Sequence, residues 1–345
     1  RLCSASSPCG GEGKGRTFNN RITRRDPLTV PAPQRDIISQ SGYRAGPDFF
    51  KILCQGAALL TVLLLGWIIY EIVESAWPSI QKFGLDFITT SAWVPNRERF
   101  GVLPFIVGTL ASSLLAILFA FPLGVSIAIF LSENFLSPSI RQTMRFVVEM
   151  LAAIPSVVYG LWGIFVIIPI VKVFGDWAVA SLGGFPLFSG PAYGNSLLTA
   201  SVVLAIMILP TITAISRNAL AAVPKTLREG AYALGATRWE AIFSVILPTA
   251  APGIVAATIL GLGRAMGETM AIAMLIGNSS RLSWSVLSPS GTLAGLLANQ
   301  FGEAQGLQVN SLMYAALILI AITLFVNLIG EAVLRRTQKA TAGIR

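Results

Sequence analysis

The sequence predicts an all-α, polytopic membrane protein with six transmembrane helices, and three observations carry that prediction. Of its 345 residues, 54% are apolar and 12% are charged, where an ordinary soluble domain carries about 25% charged residues. Mean hydropathy is +0.71, so too little polar surface exists to face water. The apolar residues also gather into six runs of about 20, long enough to cross ~30 Å of hydrocarbon at ~1.5 Å per residue. These runs are continuous and do not alternate as barrel strands do.

In chain order, residues 1–48 are rich in Gly, Ser, Pro and Arg without an apolar period, which predicts a disordered cytoplasmic tail. They hold no apolar stretch of signal-peptide type. The first apolar run covers residues 52–72. Residues 73–101 then bring Trp77, Phe83, Phe87, Trp93 and Phe100, which predicts a short external helix at the membrane interface with an aromatic belt. Residues 49–101 are thus read as one segment. The remaining runs, 102–131, 150–171, 196–215, 251–276 and 312–334, make up a transmembrane domain over 102–335, followed by a cytoplasmic tail over 336–345. Pro122, Pro155, Pro169 and Pro210 lie inside them and predict kinks, which neighbouring helices tolerate. Residues 172–195 are too broken by Gly and Pro to span. They either cap an outer cavity or turn the chain.

Orientation follows from Lys and Arg. The loops after the first, third and fifth runs hold Lys82, Arg97, Arg99, Lys172 and Arg281, and Arg264 lies inside the fifth run; the rest of the 25 fall on the other side. Both termini are therefore expected in the cytoplasm. This bias accounts for most of the formal charge of +9, so no nucleic-acid partner is implied; the lipid bilayer is the partner the sequence demands.

Absences narrow the chemistry. The chain has no histidine, which removes Ser-His-Asp triads and most zinc sites. No P-loop is present; Gly13-Lys14-Gly15 lacks the hydroxyl that would hold Mg²⁺. Cys3, Cys9 and Cys54 have no metal or disulfide spacing. No cofactor, no metal and no catalytic centre is expected on this chain, which points to a transporter or a channel.

Two stretches carry more specific information. Within the cytoplasmic loop 217–248, Thr226 with Glu229 and Thr237 with Glu240 each write a T-x-x-E capping box, and Gly235 falls where the first helix needs a left-handed residue. The result is helix, Gly turn, helix. The first helix, of about eight residues, is too short to stand alone in water, and its apolar face of Leu227, Ala231 and Leu234 needs a cover. The protein's own helix ends and a separate cytoplasmic subunit are both candidates.

In the fifth run, Arg264 and Glu268 are i, i+4 neighbours near mid-membrane. A charge there costs about 2.5–3.5 kcal/mol on insertion scales. A helical pair of this kind returns only about 0.2–0.5 kcal/mol. The face must therefore meet water, a partner charge or a ligand. Either an interhelical ion pair fixes packing, or Arg264 lines an aqueous path where its fork of donors suits oxyanion oxygens. Gly263 and Gly267 form a small-xxx-small motif that predicts close helix packing. Glu149, at the expected inner end of the third run, is read as a capping or interface charge.

Glu229-Gly230-Ala231, three residues, Gly235, nine residues and Val245-Ile246-Leu247-Pro248 resemble the EAA loop of ABC importer permeases, E-A-A-x₃-G-x₉-I-x-L-P, departing at Gly230 and Val245. The stretches Trp77–Gly84, Glu149–Gly160 and Gly261–Met270 are similar to the PstC family of phosphate importer permeases, and the similarity covers about residues 50–335. It implies a MetI-like type I ABC importer permease fold in a bacterial inner membrane. It implies that Thr226, Arg228, Glu229, Gly230, Ala231, Gly235 and Pro248 belong to a loop docking on an ATPase subunit, which alone binds ATP and Mg²⁺. It implies three partners: a PstA-like second permease, a PstB-like ATPase dimer and an external PstS-like phosphate-binding protein. Arg264 and Glu268 match positions of the transport pathway in that family. A permease for another oxyanion, such as sulfate or molybdate, is the near alternative, and an ion channel the alternative from another class.

Overall fold

A computed structural model describes residues 49–133, 135–182 and 185–342. The expected tail over 1–48, with Cys3 and Cys9, lies outside the described residues. The chain divides after Leu59 into two units. The described part of the first unit is the opening of helix α1 (Phe49–Phe83); the second unit holds the remainder of α1 and everything after it.

Among the described residues all repeating structure is helical. Helix α2 (Asp86–Thr89) follows α1, then α3 (Leu103–Ser132), the amphipathic α4 (Pro138–Ala153), α5 (Ser156–Trp162), α6 (Ile168–Leu182) and α7 (Leu197–Ala221). On the far side of α7 come α8 (Lys225–Ala233), α9 (Arg238–Ala241), α10 (Leu247–Met266), α11 (Met270–Leu275), α12 (Leu293–Gln300) and α13 (Leu307–Ala342). Among the described residues, six helices are long and apolar enough to cross a membrane: Phe50–Phe83, Leu103–Ser132, Ser156–Ser181, Leu197–Ala221, Arg238–Met266 and Leu307–Lys339.

The prolines act in three different ways. Pro122 and Pro210 stay inside α3 and α7. Pro155 does not kink a helix but breaks one: it forces Ile154 into extended backbone (φ −69, ψ 129), ends α4 at Ala153 and opens α5. The third crossing therefore begins at Ser156, not near residue 150. Pro169 is accommodated by a π turn at Gly163–Ile167, where the Ile168 N–H reaches back to Gly163 O. A second π turn at Ile242–Ile246 precedes Pro248 in the same way. A proline ring clashes with the carbonyl four residues before it, and the wider turn relieves that clash.

Helix α7 forms the centre of the second unit. Leu204, Ile208, Ile212 and Leu220 on it are fully buried, beneath α3 on one side and α10 on another. Hydroxyls inside α3 are satisfied locally, Thr109 donating to Phe105 O at 2.7 Å and Ser113 to Thr109 O at 2.8 Å. Small residues set the closest approaches. A Cβ on Gly253 would lie 2.3 Å from the Ala219 methyl of α7, and one on Gly330 would lie 2.8 Å from Ile259. In contrast, the apolar residues of α1 between Leu60 and Tyr70 are exposed within this chain, as a face for lipid or another subunit must be.

The expected aromatic belt is corrected. Phe87, Trp93 and Phe100 are buried, and only Trp77 of the aromatic set is more than half exposed. Phe87 stacks on Tyr314 of α13 with centroids 4.5 Å apart, and Trp93 packs edge-on against Phe100 and Phe105. Trp93 Nε1 donates to Gln300 Oε1 at 2.7 Å. These rings make a second core with α12 and α13, because long-range packing offers them more contact than an interface would. Leu187 O on the stretch after α6 accepts from Val286 N at 3.0 Å, so that segment is tied to the loop before α12. The last helix continues to Ala342, so the described part of 336–345 is helical.

Candidate functional site

Two features at opposite ends of one helix make the candidate site. The first is the elbow after α7. Helix α8 begins behind Pro224 (φ −54, ψ 137), which supplies no side-chain cap. Thr226 therefore sits inside the first turn, and the expected Thr226–Glu229 capping box does not form. Proline at the entry presets the helix two residues early. Glu229 is exposed. The second box does form: Thr237 Oγ1 accepts from Glu240 N at 3.4 Å while Glu240 Oε2 accepts from Thr237 N at 2.7 Å.

Between them Gly235 adopts φ +85, the left-handed residue the spacing predicts. Its N–H reaches Tyr232 O at 3.0 Å and the Ala236 N–H reaches Ala231 O at 3.1 Å, the paired bonds of a Schellman stop. Of the predicted apolar face, Ala231 is buried, whereas Leu227 is 40% and Leu234 91% exposed. The chain's own helix ends therefore cover only part of that face. Gly230 faces open space.

Arg228 holds the elbow to the transmembrane helices. Its Nη1 donates to Glu133 Oε1 at 2.6 Å and its Nη2 to Leu220 O at 2.6 Å. Glu133 is the residue that ends α3, and both side chains of the pair are mostly buried. Glu133 was not foreseen, because a carboxylate 95 residues from its partner leaves no local pattern. Phe135 stacks on Trp239 at 5.2 Å beside it. Glu133, Phe135, Arg228 and Arg238 line a cavity of about 200 Å³.

The second feature is a break in the fifth crossing. Arg264 lies in the last turn of α10, which Gly267 terminates. Glu268 stands beyond the end, and its Oε1 accepts from the Ala271 N–H of α11 at 3.3 Å. The expected i, i+4 face is thus lost, and the pair forms no ion pair among the described residues. Each charge is instead matched to a helix end, Arg264 to the carbonyl end of α10 and Glu268 to the amide end of α11. Arg264 is exposed on this chain, its Nη1 3.4 Å from Thr211 Oγ1 of α7.

Gly263 packs against Asn327 of α13, whose Oδ1 lies 3.4 Å from where a Cβ would sit. Around Gly267 a Cβ would meet only carbonyls of its own helix end. The two glycines therefore do not form one packing surface within this chain, since helix termination turns the second aside. The close approaches at Gly253 and Gly330 were not foreseen; single glycines in apolar runs carry no motif.

Pro248 lies just past the π turn, inside the helix that starts at Arg238. That helix runs unbroken from Arg238 to Met266, or about 43 Å at 1.5 Å per residue. The elbow's second helix and the helix ending at Arg264 are one element. Glu149 is corrected as well: it lies inside α4, not at the start of a crossing. Arg145 Nε donates to its Oε1 at 2.8 Å, and that bond holds the Glu149 carboxyl below the usual carboxylate range.

Residues 120–341 match the family model of the binding-protein-dependent transport system inner membrane component. The chain is 41% identical over 298 residues to the phosphate transport system permease protein PstC of Mesorhizobium japonicum, covering 85% of this chain and 91% of that protein. It is 43% identical to the protein of the same name from Pasteurella multocida, covering 82% and 89%. Among solved structures, a bacterial ABC transporter involved in the import of the acidic polysaccharide alginate superposes with TM-score 0.50 at 18% identity, covering 82% of this chain and 96% of that one. That likeness extends to the fold.

Proposed function

Since the chain belongs to the binding-protein-dependent transport system inner membrane components, we propose that it is the membrane-spanning permease subunit of an ATP-driven phosphate importer. The relatives named for phosphate transport, similar over more than four-fifths of the chain, support the substrate. The observation that carries the mechanism is the unbroken helix from Arg238 to Met266. It begins at the elbow and ends where Arg264 and Glu268 flank the break.

In this reading a PstB-like ATPase dimer, which binds ATP and Mg²⁺, covers Leu227 and Leu234 and grips α8 beside the exposed Glu229. Closure of the dimer moves α8, Arg228 passes the movement to α3 and α7, and the long helix carries it to Arg264. There the guanidinium faces the second, PstA-like permease and offers paired N–H donors to phosphate oxygens. Glu268 beside it keeps the anion from being held too tightly. A PstS-like external protein delivers the phosphate. The chain itself is non-catalytic, and both termini lie in the cytoplasm.

Arg264→Ala is expected to abolish phosphate uptake by cells or proteoliposomes while the purified complex keeps all its subunits. Uptake at the wild-type rate in that variant removes Arg264 from the pathway. Loss of the complex itself assigns Arg264 to packing.

A further inference from the structure

A second cluster of arginines lies away from Arg264, where the ends of α3 and α7 meet α4. Arg141, Gln142 and Arg145 of α4, Arg217 and Asn218 of α7 and Ser132 of α3 line a cavity of about 470 Å³. It opens on the elbow side, because α7 ends there and α8 follows. We propose that this cavity binds a phosphate group, presented either by the headgroup of an anionic phospholipid or as free inorganic phosphate.

Three guanidiniums line the cavity, and the Glu149 carboxylate pairs with that of Arg145. Arg145 donates to Glu149 at 2.8 Å, Arg217 Nη2 to Asn218 Oδ1 at 3.1 Å and Arg141 Nη2 to Leu136 O at 3.3 Å. Each guanidinium carries five N–H donors in a planar fork, the geometry that suits the oxygens of a phosphate group. Like charges gathered at the end of two spanning helices repel, and an oxyanion among them turns that repulsion into charge-assisted hydrogen bonds.

The level is right for a lipid headgroup. Arg141 and Arg145 stand four apart on α4, while Ile140, Met144 and Val147 form an apolar face that is exposed. A helix with that division lies in the interface plane, and basic pockets between transmembrane helices at that depth suit anionic headgroups. The cavity is separate from the transport residues, so its test is independent of the pathway assigned to Arg264.

The full chain is purified in detergent with phosphatidylglycerol or phosphatidylcholine, and retained lipid is counted by native mass spectrometry. In parallel, radiolabelled inorganic phosphate binding is measured by equilibrium dialysis. Preferential retention of phosphatidylglycerol, reduced roughly tenfold by Arg141→Gln with Arg217→Gln and unchanged by Arg335→Gln with Arg336→Gln, assigns the site to the lipid. Phosphate binding lost in the first double variant but kept in Arg264→Ala assigns it to the free ion. Equal retention of both lipids together with unaltered phosphate binding overturns the proposal. So does a cross-link from Asn218→Cys to an acidic segment of a companion subunit with neither ligand bound. If the double variant does not fold, Arg217→Lys, which keeps the charge, and Arg217→Gln, which removes it, decide the same question by the same two measurements.

Discussion

Arg228 shows how one side chain can join three elements. From α8 it reaches the carboxylate that ends α3 and a carbonyl in the last turn of α7. The Glu133 carboxylate is largely shielded, so removing the guanidinium strips it of that donor at about 1–3 kcal/mol, while Leu220 O keeps the Val223 N–H at 3.3 Å. Arg228→Ala is expected to lower the thermal stability of the purified chain and to weaken the link between ATP hydrolysis and uptake. Glu133→Gln should cost less, since an amide oxygen still accepts from Arg228. In a double-mutant cycle read by thermal unfolding, strict additivity would show that the pair does not couple. The residue scale also shows what pattern reading misses. Thr226 and Glu229 have the spacing of a capping box, but Pro224 had already opened the helix. Thr237 and Glu240 have the same spacing and no such competitor, and there the box closes.

At the scale of elements, glycines divide by what surrounds them. Gly230 faces open space in the middle of α8, so Gly230→Ala adds no clash and gains about 1 kcal/mol of helix propensity. It also restores the residue of the EAA pattern. Gly253 lies where α10 crosses α7, and a methyl there would press on Ala219 at 2.3 Å. Gly253→Ala is therefore expected to destabilise by about 1–3 kcal/mol, the usual cost of overpacking. Thermal unfolding of the two variants should move in opposite directions; a shift of the same sign in both would contradict this division. The two π turns follow a similar logic, each placed just before a proline that a regular turn cannot accept.

For the molecule as a whole, one helix from Arg238 to Met266 links the elbow to Arg264, and α8 joins that helix through the single left-handed turn at Gly235. Glu229→Lys changes an exposed charge on α8 that pairs with no side chain among the described residues. It is expected to leave the transmembrane helices folded while phosphate uptake falls and transport-coupled ATP hydrolysis falls with it. Wild-type uptake with wild-type coupled hydrolysis in that variant would remove the docking role of the elbow.

The sequence by itself determined the six crossings, the helix–glycine–helix elbow and the presence of two charges in an apolar run. Each of these is local: hydropathy over about 20 residues, capping over four, a left-handed glycine at one position. Tertiary structure decided the rest. The aromatic residues after α1 became a core because Tyr314 and Gln300, more than 200 positions away, meet them. Arg228 found Glu133 across 95 residues. Arg264 and Glu268, neighbours by count, were separated when Gly267 ended the helix between them. Partners far apart in the chain leave no period to read, and a helix stop inside an apolar run depends on what packs around it.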